Sequence, residues 1–126
     1  MQKMKKVLVI EDEFREVQVA FEYVNDLCLN SELEIINVAK SQDVDFTKIS
    51  EYDYVFLDIT LAKKSQMDGY GILKKIEREN IPIQKLVIMT GNGKISDVLK
   101  ERGITNDYPK LIKPLDYQEL KSIFSE

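Results

Sequence analysis

A small set of reactive side chains stands at the ends of apolar runs. Tyr54-Val55-Phe56-Leu57 leads into Asp58, and Val7-Leu8-Val9-Ile10 leads into Glu11-Asp12-Glu13. The run ending at Met89 is followed by Thr90, and the one ending at Ile112 by Lys113. A carboxylate in the middle of a strand buried on both faces costs several kcal/mol or protonates. At the strand's C-terminal end it reaches the crevice where open α/β sheets bind ligands. Three carboxylates held ~4 Å apart repel by about 4 kcal/mol per pair at an effective dielectric near 20. A hard divalent cation relieves that repulsion, and an all-oxygen donor set suits Mg²⁺. Lys113 adds a point charge for a phosphate oxygen, and the Thr90 hydroxyl adds a hydrogen bond. Metal, ammonium and hydroxyl around a carboxylate are the parts needed for phosphoryl transfer onto that carboxylate.

These residues converge only if the elements before them are parallel strands. Val7–Ile10 reads as a central strand, and helical spacing follows in Val17, Ala20, Phe21, Val24, Leu27 and Cys28, a stripe expected to face inward. Residues 33–39 read as a second strand, 43–50 as a short helix and 52–59 as a third strand. A helix over 70–79 is closed by Asn80 and Pro82, and 85–89 forms a fourth strand. A helix over 96–102 ends at Gly103 as its αL cap, then come a strand over 108–112 and a helix over 116–125. Five strands alternating with five helices predict an α/β fold, one open parallel sheet covered on both faces. Pro109 lacks a ladder donor, which puts the fifth strand at the rim.

Composition excludes several classes. The 126 residues suit one domain, and 44% hydrophobic with 32% charged content is that of an ordinary soluble protein. Net charge is −4, so bulk electrostatics imply neither nucleic acid nor an anionic membrane. No apolar run approaches the roughly 18 residues that span a bilayer. The basic N-terminus is followed by too short an apolar run for a signal peptide. A single cysteine, Cys28, fits a reducing, cytoplasmic setting, and the absence of His removes His-based triads. Singly, each candidate has a plainer role: Glu11, Asp12 and Glu13 as helix first-turn acids, Thr90 as a turn residue, Lys113 as a surface lysine. Four suitable types at four of five strand ends favour a site.

The ordered set Val7-Leu8-Val9-Ile10-Glu11-Asp12-Glu13, Phe56-Leu57-Asp58, Met67-Asp68-Gly69, Ile88-Met89-Thr90-Gly91 and Ile112-Lys113-Pro114 resembles the receiver domains of two-component response regulators. The resemblance covers nearly the whole chain. It implies a single-domain (βα)5, flavodoxin-like three-layer sandwich over residues 1–126, with sheet order 2-1-3-4-5. It implies that Asp58 accepts a phosphoryl group from a histidine kinase or histidine phosphotransfer protein. Mg²⁺ would be held by Glu11, Asp12, Asp58 and the Thr60 backbone carbonyl. Thr90 would follow the phosphoryl group, Lys113 would bind one of its oxygens, and the Lys113–Pro114 bond is often cis in the family. Self-phosphorylation from small donors and slow self-hydrolysis, with Thr60 at a rate-tuning position, belong to the same picture. So does output to a downstream protein target, with a phosphorylation-dependent dimer allowed. The chain ends just after its last helix, so function is expected to run through partner proteins, without direct nucleic-acid contact or membrane insertion.

Departures from the family pattern are specific. Glu11 stands where Asp is common, and its longer arm still reaches a cation. The loop from Asp58 to Gly69 is longer than usual, lacks the usual Pro and carries Lys63 and Lys64. The switch aromatic's position is taken by Lys110, and Tyr108, two residues earlier on the same strand face, is the candidate replacement. Two other readings remain: a pseudo-receiver that only binds partners, and a haloacid-dehalogenase-like phosphatase. The second requires an acid where Thr60 sits. A flavodoxin-like FMN binder would share the fold class, but this sequence has no phosphate-cradling Ser/Thr/Gly loop after the first strand.

Overall fold

The computed structural model describes residues 4–61 and 65–125; Lys63 and Lys64 lie outside them. Five parallel strands run β1 (Lys5–Ile10), β2 (Leu33–Val38), β3 (Tyr54–Asp58), β4 (Leu86–Thr90) and β5 (Lys110–Ile112). They pair in the order β2-β1-β3-β4-β5, so β5 is at the rim as expected, although the strand is shorter than 108–112 and begins just after Pro109. Four α-helices connect or follow them: α1 (Arg15–Tyr23), α2 (Gly69–Arg78), α3 (Ile95–Glu101) and α4 (Tyr117–Ser125). No helix among the described residues is long and apolar enough to cross a membrane.

The period-2 alternation of strand side chains divides the apolar residues between two layers. Leu8, Ile10, Val55, Leu57 and Ile88 join Ile72, Leu73 and Ile76 of α2 and Leu99 of α3 in one core. Val7, Val9, Phe56, Val87 and Met89 join Val17 and Phe21 of α1 and Leu120 and Phe124 of α4 in the other. Phe21 meets Phe56 edge-on at 4.9 Å between ring centroids. Each such fully buried side chain contributes about 2–3 kcal/mol by leaving water.

Two sequence expectations are corrected. The stretch 43–50 is not a helix: 3₁₀ turns at Ser41–Asp43 and Ile49–Glu51 flank an irregular segment. The Asp45 carboxylate accepts the Thr47 N–H at 3.0 Å and its hydroxyl at 2.5 Å, a local bond that competes with the helix ladder. Val44 and Ile49 still reach the core from this segment. The inward stripe of the first helix also loses one member, Leu27, while Val24 and Cys28 keep their contact with the core. A π-helical turn over Val24–Cys28 follows α1, with the Leu29 N–H on the Val24 carbonyl at 3.0 Å. The wider turn changes the helical phase, so Leu27 is 69% exposed although its spacing had predicted burial.

The chain returns to the sheet edge through a tight contact at the start of α2. Asp68 caps that helix, its carboxylate accepting the Gly71 N–H at 2.8 Å, and the Gly69 N–H bonds the Ile59 carbonyl at 3.2 Å. A Cβ on Gly69 would lie 2.4 Å from Ile59 Cα and 2.7 Å from the Asp58 carbonyl oxygen. Backbone on both sides leaves no room to give. Gly69→Ala is therefore expected to destabilise the fold by about 2–3 kcal/mol in urea unfolding, the upper part of the range for overpacking. Wild-type stability in that variant would show that the approach is not close.

Candidate functional site

Because the strands are parallel, the C-terminal ends of β1, β3, β4 and β5 open on one edge. There Glu11, Asp12, Glu13, Glu16, Asp58, Thr60 and Lys113 line a cavity of about 250 Å³. One carboxylate oxygen from each of Glu11, Asp12 and Asp58 lies within 4.8 Å of the others. Glu11 is 1% exposed and Asp58 2%. Lys113 Nζ is hydrogen-bonded to Glu11 Oε1 and lies 3.6 Å from Asp58 Oδ2 and 3.8 Å from Glu16 Oε2. It is the one cation lining this cavity among the described residues.

Backbone and side-chain bonds hold the acids in place. The Glu11 N–H extends the sheet ladder to the Val38 carbonyl at 3.0 Å. The Asn37 side-chain amide donates to the Val9 and Glu11 carbonyls, both at 3.0 Å, pinning the turn that carries Glu11 and Asp12. Asp58 Oδ1 accepts the Thr60 N–H at 3.1 Å and the Thr60 hydroxyl at 3.0 Å. Lys113 is fixed from behind by its N–H on the Thr90 carbonyl at 2.7 Å, and the Lys113–Pro114 bond is cis.

The electrostatics follow from this crowding. Burial, reinforced by the neighbouring Asp58 carboxylate and only partly offset by Lys113, pushes the Glu11 carboxyl up to about 8. For Lys113, burial favours the neutral amine, but the hydrogen bond to Glu11 and the charges of Asp58, Glu11 and Glu16 outweigh it, and its pKa is raised. Three hard oxygen donors with surplus negative charge fit a hard divalent cation. Soft or imidazole ligands are not among them.

The structure thus brings together Glu11, Asp12, Asp58, Thr60 and Lys113. Thr90 is fully buried at the end of β4, beside them in the backbone. Its hydroxyl oxygen accepts the Asn92 N–H at 3.0 Å, and the side chain does not line the cavity. Glu16 and Asn37 were not singled out from sequence. Glu16 sits in the first turn of α1 after the acidic run, a spacing that would have pointed to it. An Asn on a strand carries no such signal.

Solved structures with this architecture are numerous. The chain superposes with a TM-score of 0.70 on the signal receiver domain of a DNA-binding response regulator (merR) from Colwellia psychrerythraea 34H, at 21% identity over 96% of this chain and 95% of that one. On the Vibrio cholerae chemotaxis protein CheY4 the TM-score is 0.64 at 16% identity, over 97% of each chain. The chain has the receiver-domain fold. On NtrX from Brucella abortus, solved in complex with ATP, the TM-score is 0.70 at 22% identity, over 95% of this chain and 26% of that one. No protein-family model and no curated protein matches the sequence.

Within this receiver fold Tyr108, the candidate replacement for the switch aromatic, is held away from Thr90. The β4–β5 register sets Ile112 opposite Thr90 and Lys110 opposite Ile88, so Tyr108 lies further back, before the strand begins. Its hydroxyl donates to Glu77 Oε2 of α2 at 3.0 Å. Glu77 also accepts the Thr105 N–H and hydroxyl and the Asn106 N–H, at 2.9, 3.0 and 2.9 Å. That carboxylate draws the segment before β5, and Tyr108 with it, toward α2. Lys110 folds its Nζ back onto the Tyr108 carbonyl at 2.7 Å.

The raised Glu11 pKa has a consequence for the metal-free protein. The unfolded chain ionises Glu11 near 4.5, whereas the folded one holds its proton to about 8. The associated stability is complete below the first value and lost as pH rises through the second. Melting in chelator is expected to drop by about 10–15 °C from pH 5 to pH 8. Lys113, charged throughout this window in both states, leaves the slope unchanged. Glu11→Gln should flatten the profile; an unaltered slope would remove Glu11 as its source.

Proposed function

We propose that the protein is a phosphoacceptor switch in a two-component or phosphorelay system, with Asp58 as the acceptor. The observation that carries this reading is the meeting of Asp58 with Glu11, Asp12 and Lys113 in one cavity at the C-terminal edge of a receiver-fold sheet. In the reaction an Asp58 carboxylate oxygen attacks phosphorus. The P–N bond of a phosphohistidine, or the P–O bond of a small acyl phosphate, breaks as the new P–O bond forms. The donor protein is a histidine kinase or histidine phosphotransfer protein, in a cytoplasmic setting.

Glu11, Asp12 and Asp58, with the Thr60 backbone carbonyl, would hold Mg²⁺, which would supply positive charge to the transferring phosphoryl group. Lys113, 3.6 Å from Asp58 Oδ2, serves a phosphoryl oxygen. Thr60, bonded to the acceptor carboxylate, is placed to influence hydrolysis of the acyl phosphate. Thr90 leaves Asn92 for the phosphoryl group, which transmits the change to β5 and the neighbouring helices and so to a downstream protein. A pseudo-receiver is the competing reading, and the Tyr108–Glu77 bond is the observation in its favour.

Intact mass after incubation with Mg²⁺ and acetyl phosphate distinguishes them. One phosphoryl adduct, absent from Asp58→Asn, is the expected result. No adduct, together with no stabilisation by beryllofluoride, would leave the pseudo-receiver. The metal assignment has its own check. Mg²⁺ at about ten times its Kd should stabilise the wild type by about 1.4 kcal/mol. The same gain in Asp12→Asn would place the ion elsewhere.

A further inference from the structure

Away from the acidic edge, α2 and α3 flank a cavity of about 400 Å³ lined by Lys74, Glu77, Arg78, Arg102 and Gly103. Three of these five are exposed cations. The one acid is already engaged, since both Glu77 oxygens accept bonds from Thr105, Asn106 and Tyr108. Lys75 is paired with Glu79 at 2.8 Å. No carboxylate among the described residues is within ion-pair distance of Lys74, Arg78 or Arg102.

The cleft is also shaped to receive something. The Arg102 guanidinium stacks on the Tyr70 ring at 4.2 Å from its centroid, which restrains its plane and reduces the rotamer freedom lost on binding. Gly103, with φ of 80°, has no Cβ and open space in front of it, so the floor is unobstructed. Three like charges around one concavity favour an anionic occupant, and the planar forks of Arg78 and Arg102 match carboxylates bidentately. A long polyanion is disfavoured by the net charge of −4 and by exposed Glu101 beside Arg102. A short acidic segment is not.

We propose that the α2–α3 cleft is a docking site for a short acidic peptide segment of a partner protein, held by Lys74, Arg78 and Arg102. The site does not depend on chemistry at Asp58.

Titration of the full ¹⁵N-labelled chain with a capped hexaglutamate peptide tests it. Amide shifts are expected around residues 74–78 and 102–103, with binding weakened about tenfold between about 50 and 200 mM NaCl as screening rises. The triple variant Lys74→Gln/Arg78→Gln/Arg102→Gln changes exposed side chains, and circular dichroism confirms its fold. It should lose those shifts, while Asp58→Asn keeps them. Unchanged shifts in the triple variant, shifts centred near Lys94 or Lys113, or no shifts at all would overturn the proposal. So would tighter binding of octathymidylate to the same amides, which would reassign the cleft to nucleic acid. Peptide-independent self-association abolished by the triple variant would reassign it to a second copy of the chain, and equally overturn the proposal.

Discussion

Two nearly buried carboxylates face one ammonium group, and much of the molecule serves to keep them there. Glu11 and Asp58 come from adjacent strands, and Lys113 Nζ touches the first and stands 3.6 Å from the second. At that distance an opposite charge contributes about 4–5 kcal/mol at an effective dielectric near 20. Removing each charge from water costs several kcal/mol. One lysine therefore does not balance two acids, still less the Asp12, Glu13 and Glu16 that rim the cavity. Burial first, and the Asp58 carboxylate second, hold the Glu11 proton up to about 8 in the metal-free site. A divalent cation would displace that proton and offset the remaining acids, so that the site could then accept the further −1.5 to −2 charge units of a phosphoryl group. That ordering supports the proposed role of a divalent ion.

Holding such a site requires rigid backbone on all sides. The Asn37 amide, the Gly69 contact with the Asp58–Ile59 backbone, and the Lys113 N–H on the Thr90 carbonyl each lock one approach to it. None is itself chemically reactive. Each removes freedom that the repelling acids would otherwise use to separate, so the cost of crowding falls on the folding free energy rather than on the geometry.

The opposite side of the domain shows how one carboxylate can change a surface. By accepting four hydrogen bonds from Thr105, Asn106 and Tyr108, Glu77 ties the approach to β5 onto α2. Burial works to raise its pKa, yet these donors outweigh burial and lower it. Glu77 stays ionised under these bonds, and the α2–α3 cleft, with three cations against this one anion, is net positive. Tyr108 and the cleft thus meet at one residue.

Strand order, four of the five expected helices, the rim position of β5, the Gly103 cap and the strand-end positions of Glu11, Asp12, Asp58 and Lys113 were legible in the sequence. Each depends on local properties: apolar runs, proline's missing donor, glycine's access to positive φ. The exposed Leu27, the irregular segment in place of a helix over 43–50, the tether of Tyr108 to Glu77 and the pinning of Glu11 by Asn37 were not. They depend on bonds between residues distant in the chain, or on a choice between local bonds and helix ladders that periodicity does not register. By itself the sequence determined which reactive side chains share the sheet's C-terminal edge, because parallel strands leave no alternative. Only the tertiary structure decided which of them touch, because contact distance depends on packing and on long-range hydrogen bonds that no spacing rule encodes.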